Sequence, residues 1–182
     1  MTLSFLLPKY KKAETVKLQI AQTWDGSPVA QADVVDLSVR LTDDELTITV
    51  AAPFYGDPPP AGGEGELNGL WDYEVVELFL LAANGHYLEV EMGPHGHYLI
   101  LLLAGIRQVK KKLHPSHFST EIVGCRWQAT LKLVADHLPT PFTHTNAYAI
   151  HGQGVERCYL AAYPVPGERP DFHQPHFFGL LR

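Results

Sequence analysis

Cysteine, long hydrophobic runs and positive charge are all scarce in this sequence of 182 residues. Its two cysteines, Cys125 and Cys158, are too few for a disulfide framework, so two buried free thiols are the simpler interpretation and a single bridge is the alternative. No segment approaches the roughly 20 apolar residues that a membrane-spanning helix needs. The apolar run that opens the chain is too short for a signal peptide, and its lysines follow the run. We therefore expect a soluble, cytoplasmic protein without a membrane partner.

The charge balance and the lack of signature motifs argue against several classes of function. A net charge of −6 leaves no broad basic surface for a phosphate backbone, so nucleic-acid binding is not expected. There is no HExxH, GxSxG or Walker A sequence, and no GxGxxG follows a strand. His95 and His97 could offer two nitrogens to a metal ion, but no third ligand follows at a telling spacing. We assign no metal site, and the cofactor is left unknown.

What the chain does contain is a succession of short segments in which apolar and polar residues alternate. A period of two is typical of half-buried β-strands, and Gly- and Pro-rich turns separate these segments at intervals of roughly 8–12 residues. The pattern predicts one all-β domain over residues 1–182, a two-sheet antiparallel β-sandwich with little helix. Residues 53–69 are predicted to form a Pro/Gly-rich loop, and residues 164–182 an ordered coil tail across the sheet.

Residues 70–103 are predicted to form three successive strands of one sheet. The apolar residues of the first two strands can share a face only if the turn between them has an odd number of residues, because a one-residue slip inverts a strand. A turn at 83–85 with a left-handed Gly85 satisfies this condition. The resulting register pairs Glu77 with Glu91, and Phe79 with Glu89.

The next turn is interpreted as a four-residue loop at 93–96, with proline second and glycine fourth as in a type I turn. This register pairs Glu91 with Tyr98 and Glu89 with Ile100. Three glutamates and Tyr98 then share one face of the sheet. Like charges directly opposite one another destabilise a sheet, so a cation, a shared proton, an arginine such as Arg157, or water should compensate them.

A solvated acidic face is the simpler interpretation, since exposed glutamate is the norm. The flanking Phe79 and Ile100 favour instead a shallow concave site, in which carboxylates bond sugar hydroxyls and a ring packs on a pyranose. Trp71, where the loop rejoins the sheet, either caps the core or faces such a ligand. The candidate ligand-binding residues are Trp71, Glu77, Phe79, Glu89, Glu91, Tyr98, His151, Arg157 and Tyr163, and no catalytic residue is assigned.

The order of these motifs resembles the DOMON-like superfamily. Trp24-Asp25-Gly26, a hairpin at 36–52, Trp71, and strands at 74–79 and 87–96 follow one another along most of the chain. The strand pattern acidic-x-Val-Glu-aliphatic-aromatic is similar to that of family 9 carbohydrate-binding modules. The segments WDYEVVELFL, YLEVEMGPHGHYLILLL, AIHG, YPVP and PDFH are similar to an uncharacterised family of small stand-alone proteins with this fold.

The resemblance to family 9 modules implies a glycan held between two tryptophan rings, with calcium in the loops. Trp71 lies where one such ring is expected, and its partner would have to be Tyr163, Phe172 or His173. No acidic cluster has a convincing calcium spacing. Other DOMON-like domains bind haem through Met and His, but Met92 is predicted to lie in the core. The resemblance therefore leaves a smaller sugar or another polar ligand.

These observations predict a small-ligand-binding β-sandwich with a carbohydrate as the leading ligand class. Two alternatives stay open. A carbohydrate-active enzyme with Glu77 or Glu91 as general acid or base would need a buried carboxyl in a closed pocket. A protein-interaction module would need an exposed apolar patch. Binding is favoured over catalysis.

Overall fold

The computed structural model describes residues 14–181, so the opening segment discussed above lies outside the described residues. Within that range the chain forms strands and short 3-10 turns, and no α-helix. The 3-10 turns are Gln31–Asp33, Leu70–Asp72, Ala135–His137, Gly154–Glu156 and Pro175–Phe177. The strands are β1 (Glu14–Ile20), β2 (Gln22–Thr23), β3 (Val35–Leu41), β4 (Glu45–Pro53), β5 (Gly65–Glu66), β6 (Val75–Ala82), β7 (Tyr87–Met92), β8 (His97–Leu103), β9 (Val109–Lys112), β10 (His117–Val123), β11 (Arg126–Val134), β12 (Phe142–His151), β13 (Cys158–Ala161) and β14 (Gly179–Leu180).

The strands build two stacked sheets, which confirms the predicted antiparallel β-sandwich. The smaller sheet has five strands in the order β1-β3-β4-β11-β10. The larger sheet runs β2-β13-β12-β6-β7-β8-β5, with β14 paired to β12 and β9 paired to β8. Only the short β5–β8 pairing is parallel among the described strands. In the part of the chain that the structure describes, no helix is long and apolar enough to cross a membrane.

The main core lies between the two sheets and follows from the alternation of each strand. Leu78, Leu80, Leu88 and Val90 project inward from the larger sheet, and each is fully buried. The smaller sheet contributes the alternate residues of β3, β4 and β11, including the buried Trp127 ring. Burial of this apolar surface is the main favourable term in folding. It also fixes which residues of β6 and β7 face outward.

The predicted turn between β6 and β7 is confirmed. Ala82 donates its backbone N–H to the His86 carbonyl at 2.8 Å, which leaves residues 83–85 as a three-residue turn. Gly85 has a φ of +81°, the left-handed conformation that glycine adopts without a steric penalty. Glu77 pairs with Glu91 and Phe79 with Glu89, as the odd turn requires.

The predicted four-residue turn between β7 and β8 is wrong. The Gly93 N–H donates to the His97 carbonyl at 2.9 Å, so residues 94–96 form a three-residue turn and Met92 pairs with Tyr98 instead of His97. Tyr98 and Ile100 therefore face the main core, and the Tyr98 ring packs edge-on against Phe118. Alternation could not reveal this register, because β8 is apolar on both of its faces.

The outer face of the larger sheet is not open to solvent. Residues 164–178 cross it as coil, apart from the 3-10 turn, and Phe172 stacks on Tyr148 with ring centroids 3.7 Å apart. A second apolar cluster fills the space between sheet and tail, and includes Phe79, Tyr87, Leu99, Leu101, Leu103, Val165 and Phe178. Where this cover stops, the outer face forms a cavity.

Two further features concern the loops. The buried Glu74 carboxylate accepts the backbone N–H groups of Tyr55, Gly56 and Asp57 at 3.1, 3.1 and 3.3 Å, and so fixes the start of the Pro/Gly-rich segment.

Cys125 and Cys158 are free, as the composition suggests, but both thiols are exposed instead of buried. Each lies next to a turn at a strand end, where the alternation no longer predicts burial.

Candidate functional site

A cavity of about 470 Å³ lies on the outer face of the larger sheet, beside the C-terminal tail. Its floor includes side chains from β6, β7 and β8, and its walls come from the Leu70–Asp72 turn, β13 and the tail. Four of the predicted ligand-binding residues line it: Trp71, Glu77, Glu89 and Arg157. The register confirms that Glu77, Glu89 and Glu91 share this face, and the ligand-binding role of the face stays a prediction.

The three glutamates of this face are almost completely buried. The exposed fractions of Glu77, Glu89 and Glu91 are 3%, 4% and 0%. Glu77 and Glu89 line the cavity, whereas Glu91 lies next to them and is shielded from it. Both Glu91 carboxyl oxygens, and Oε2 of Glu89, have no hydrogen-bond partner among the described residues. Such orphaned polar atoms are uncommon in folded proteins and call for a physical explanation.

Protonation provides most of that explanation. Burial, with smaller contributions from the Glu77 and Glu89 carboxyls, raises the pKa of Glu91 to about 10, although a contact with the Trp71 backbone N–H opposes the rise. Burial also raises the pKa of Glu77 well above its ordinary 4.5, with Glu89 adding to the rise and Arg157 offsetting it. The pKa of Glu89 rises only to about 7, because Arg107 opposes the effect of burial. Near neutral pH, Glu77 and Glu91 are therefore protonated and Glu89 is partly ionised.

Two hydrogen bonds join Tyr87 to the β8–β9 loop and to His173 of the tail, beside Glu89. The Tyr87 hydroxyl accepts the Arg107 backbone N–H at 3.1 Å and lies 2.7 Å from Nδ1 of His173. With Nδ1 assigned as the acceptor of the Tyr87 hydroxyl, the imidazole proton lies on Nε2, 3.9 Å from Oε1 of Glu89 and beyond hydrogen-bond distance. Burial lowers the pKa of His173 to about 4, with Arg107 acting in the same direction, so the ring is neutral.

Arg107 and Asp171 close one side of the cavity. The guanidinium contacts the carboxylate at 2.7 and 3.5 Å, and Oδ1 of Asp171 also accepts the His173 backbone N–H. These hydrogen bonds outweigh burial and hold the pKa of Asp171 below its ordinary value. Arg107 has a φ of +56°, a conformation that is rare outside glycine and often found at functional sites.

Arg157 organises the opposite side by binding backbone oxygens. Its guanidinium donates to the carbonyls of Asp72 and Gly152, at 3.0 Å each, and to the carbonyl of Trp71. The prediction that Arg157 compensates the glutamates is thus only partly right, since its hydrogen bonds go to the Leu70–Asp72 turn. That turn holds the Trp71 side chain at the cavity rim with 45% of its surface exposed.

Five predicted ligand-binding residues lie elsewhere. Tyr98 faces the main core on the other side of the sheet, so its predicted place on the glutamate face is wrong. Glu91 lies beside the cavity without lining it, and Phe79 is buried beneath His173, with their rings edge to face. His151 stacks on Tyr55 at 3.5 Å, and Tyr163 packs over Gly179.

Sequence reasoning missed the polar residues that the tail and the β8–β9 loop supply. Phe172 and His173 were considered only as possible ring partners of Trp71. The lining residues that the sequence analysis did not assign to the site are Asp72, Leu101, Leu103, Arg107, Val109, Ile150, Tyr159, Pro170, Asp171, Phe172 and His173. The segment PDFH was the one available signal, because it places a carboxylate, a ring and an imidazole together in a proline-rich tail.

The metal and haem sites implied by the resemblance do not fit this structure. Over residues 14–181, no group of three or more His, Cys, Asp or Glu side chains is arranged to hold a metal ion. Met92 is fully buried between the sheets and faces away from the cavity, so it cannot serve a haem there. The cavity instead offers carboxyl, guanidinium and imidazole groups beside aromatic rings, a set suited to an uncharged polar ligand.

Solved structures share this fold at low sequence identity. A "putative carbohydrate-binding protein" from Bacteroides uniformis superimposes with a TM-score of 0.65 at 17% identity, covering 92% of this chain and 85% of that one. A family 9 carbohydrate-binding module from Caldicellulosiruptor kristjanssonii, in complex with glucose, gives a TM-score of 0.56 at 11% identity, covering 91% and 82%. Both confirm the fold of family 9 modules.

Two relatives show where the chain belongs. No protein-family model matches it. The UPF0462 protein C4orf33 homolog of Mus musculus is 42% identical over 171 residues, which cover 88% of this chain and 88% of the mouse protein. The UPF0462 protein C4orf33 of Homo sapiens is also 42% identical over 171 residues, covering 88% of this chain and 84% of the human protein. The chain is therefore a member of the UPF0462 protein C4orf33 family.

Proposed function

We propose that the outer cavity binds a small carbohydrate, such as a monosaccharide or disaccharide. The observation that carries the proposal is the combination of the exposed Trp71 ring with the buried Glu77 and Glu89 carboxyls in one cavity of about 470 Å³. That volume lies within the roughly 300–1,000 Å³ typical of small-molecule sites.

The polar lining matches the hydroxyl groups of a sugar. A protonated carboxyl such as that of Glu77 donates one hydrogen bond and accepts others, while ionised Glu89 and Asp171 accept. The guanidinium of Arg107 and Nε2 of His173 can donate. Every sugar hydroxyl is both a donor and an acceptor, so a mixed lining of this kind satisfies it without burying a net charge.

The apolar lining matches the C–H faces of a sugar ring. Trp71 presents a half-exposed indole at the rim, and Leu101, Leu103 and Val109 line the floor and wall. An aromatic ring beside an apolar patch favours a ligand with one hydrophobic face and a polar edge. Pyranoses have this character.

The solved structures support the same ligand class from a different direction. One is described as a carbohydrate-binding module in complex with glucose. Another concavity, of about 710 Å³, lies on the outer face of the smaller sheet. Neither an aromatic ring nor a buried carboxyl lines that surface, so it offers a sugar no stacking platform.

Calorimetric titration with glucose, galactose, mannose, cellobiose and maltose tests the proposal. We expect one or more of these sugars to bind and to quench the fluorescence of Trp71. Trp71→Ala should weaken that binding about tenfold, since a stacked ring contributes about 1 kcal/mol beyond buried area. Trp71→Phe, which keeps a ring, should retain most of the affinity. Absence of binding by the whole panel, or wild-type affinity in Trp71→Ala, would refute the proposal.

A further inference from the structure

We propose that the cavity also interconverts the anomers of a reducing sugar, with Glu89 as general base and Glu77 as general acid. This inference rests on the proposed sugar binding and adds a reaction to it. Anomer interconversion needs two groups that exchange protons at one carbon atom, and it needs neither a metal ion nor an external oxidant. The described residues of the cavity supply such a pair.

The register of β6 and β7 places the two carboxyls at a suitable spacing. Glu77 lies directly opposite Glu91, so Glu89, two residues earlier in β7, is its diagonal neighbour on the same face. Diagonal neighbours on an antiparallel pair are about 7 Å apart. The two oxygens of an anomeric centre, O1 and O5, are bonded to the same carbon. Two carboxyls that start from backbone positions at this spacing and line one cavity can therefore each reach one of those oxygens.

Both carboxyls are buried yet open to the cavity. Their exposed fractions are 3% for Glu77 and 4% for Glu89, and both line the cavity. Oε2 of Glu89 is fully buried without a hydrogen-bond partner in the described part of the chain, so we assign Oε1, the oxygen that faces Nε2 of His173, as the atom that accepts a proton from a bound hydroxyl.

The surroundings of the two carboxyls hold them in different protonation states. Burial keeps the pKa of Glu77 well above 4.5, whereas Arg107 limits the rise in the pKa of Glu89 to about 7. Near neutral pH the pair therefore consists of one protonated and one partly ionised carboxyl. Two carboxyls whose pKa values are driven apart are the usual arrangement for paired acid and base catalysis.

His173 is a positioning residue for the base. Tyr87 fixes its tautomer through the 2.7 Å bond to Nδ1, and the Nε2–H lies 3.9 Å from Oε1 of Glu89. At that distance the N–H dipole favours the ionised form of Glu89 without forming a hydrogen bond, so Oε1 keeps a lone pair for the ligand. Phe79 packs edge-on against the imidazole at 5.5 Å and limits its rotation.

The proposed reaction balances without a co-reactant. Glu89 takes the proton of O1–H, the O1 electron pair forms the C1=O1 double bond, the C1–O5 bond breaks, and Glu77 gives its proton to O5. The product is the open-chain aldehyde. After C1 rotates, O5 attacks the opposite face of C1, Glu77 recovers its proton from O5, and Glu89 returns its proton to O1. Both carboxyls end as they began.

Polarimetry of freshly dissolved α-D-glucose, and of α-D-galactose, in dilute buffer tests this reaction. The wild-type protein should speed the approach to equilibrium several-fold over buffer alone. Glu77→Gln and Glu89→Gln should each lose at least nine-tenths of that acceleration, and the exposed Glu121→Gln should keep it. Thermal unfolding of each variant confirms that the fold is retained.

Titration calorimetry on the same sugars separates the two proposals. Binding by the wild-type protein without acceleration overturns the catalytic proposal and leaves sugar binding intact. Acceleration that survives in Glu89→Gln also overturns it. If no sugar of the panel is bound or converted, both proposals fail together.

The pH profile tests the role of His173. The groups that face Glu89 are Glu77, Tyr87, Arg107 and His173, with Glu91 beside them. The rate should rise with pH as Glu89 ionises. His173→Phe keeps a ring against Phe79 but removes the donor, so its rising limb should move to higher pH. If His173→Phe lowered the rate equally at every pH and left the rising limb of the pH profile in place, His173 would have only a structural role.

Discussion

Glu77 and Glu91 face each other directly across β6 and β7, and both carboxyls are buried. Two ionised carboxylates at this distance would repel each other, and no bound cation site is available among the described residues. The raised pKa values show that the pair keeps its protons instead. A face that looks acidic in sequence is therefore largely uncharged in the folded protein near neutral pH.

Because Glu77 and Glu91 keep their protons in the folded state, we expect the protein to lose stability as pH rises from 7 to 9. Glu91 keeps its proton up to about pH 10 when folded, whereas an unfolded chain releases it near the ordinary value of 4.5. The folded state thus binds more protons, and its free energy of unfolding falls with pH by about 1.4 kcal/mol per pH unit for each such proton. Glu77 acts in the same direction. Chemical unfolding at pH 7, 8 and 9 measures the slope.

Two other groups set the limits of that pH window. The stability that the Glu89 proton contributes is lost as pH rises from the ordinary pKa of 4.5 to about 7. His173 has the opposite effect: because its pKa is lowered to about 4, the folded protein loses stability as pH falls below about 6.5. Above pH 7 the fall in the free energy of unfolding with pH therefore comes from Glu77 and Glu91. Glu91→Gln should reduce it by at least half, and the exposed Glu121→Gln should not. A wild-type stability that is flat from pH 7 to 9 would contradict the assignment.

Glu91 is also expected to weaken the fold at neutral pH. Apart from a contact with the Trp71 backbone N–H that lacks good hydrogen-bond geometry, its oxygens have no partner among the described residues, and burying such a group costs about 1–3 kcal/mol. Replacement by an apolar side chain of similar length, Glu91→Met, should therefore raise the free energy of unfolding by about 1–3 kcal/mol. Glu121→Met, on the exposed β10, is the matched control and should change it by less than about 0.5 kcal/mol. Destabilisation by Glu91→Met would show that the contact with the Trp71 backbone N–H is a stabilising hydrogen bond.

The contrast between the two turns of the central stretch shows how far alternation can predict a fold. In β6 and β7 one face must enter the main core, so the register, the odd turn and the Glu77–Glu91 pair could all be deduced. In β8 both faces are apolar, because Leu99 and Leu101 meet the tail while Ile100 meets the main core. No pattern distinguishes the two faces of such a strand.

The same distinction between regular and irregular structure decides which residues of the site could be predicted. Glu77 and Glu89 could be placed on one face, because strand pairing is a regular relationship. Arg107, Asp171 and His173 could not, because their positions depend on the path of a loop and of a coil tail. That path is set by ring packing such as Phe172 on Tyr148, which sequence spacing does not encode.

Gly179 is expected to be essential for docking the end of the tail. A Cβ atom at this position would overlap the Tyr163 ring, so Gly179→Ala should displace the ring and cost about 1–3 kcal/mol of stability. In a Tyr163→Ala background the same change should cost less than about 0.5 kcal/mol, because the obstacle is gone. This double-mutant cycle isolates the contact. Gly63→Ala, whose Cβ would meet open space, is the control and should be nearly neutral. Equal costs in both backgrounds would contradict the proposed overlap.

Arg157 is expected to control ligand affinity through the backbone of the Leu70–Asp72 turn. Its planar guanidinium donates to three carbonyl groups, those of Trp71, Asp72 and Gly152, and a lysine ammonium cannot reproduce that fork. Arg157→Lys keeps the charge but should loosen the turn, so that the Trp71 ring no longer holds one position at the rim.

We expect Arg157→Lys to weaken sugar binding about tenfold, as measured by calorimetry, with a broadened and red-shifted tryptophan emission. Arg40→Lys, on the exposed face of β3, is the control for the chemical change and should bind as the wild type does. Both variants keep the positive charge. A loss of sugar affinity in Arg157→Lys alone would therefore assign the effect to the hydrogen bonds that the guanidinium donates. Wild-type affinity in Arg157→Lys would mean that the turn is held by its own 3-10 hydrogen bonds and that Arg157 is dispensable.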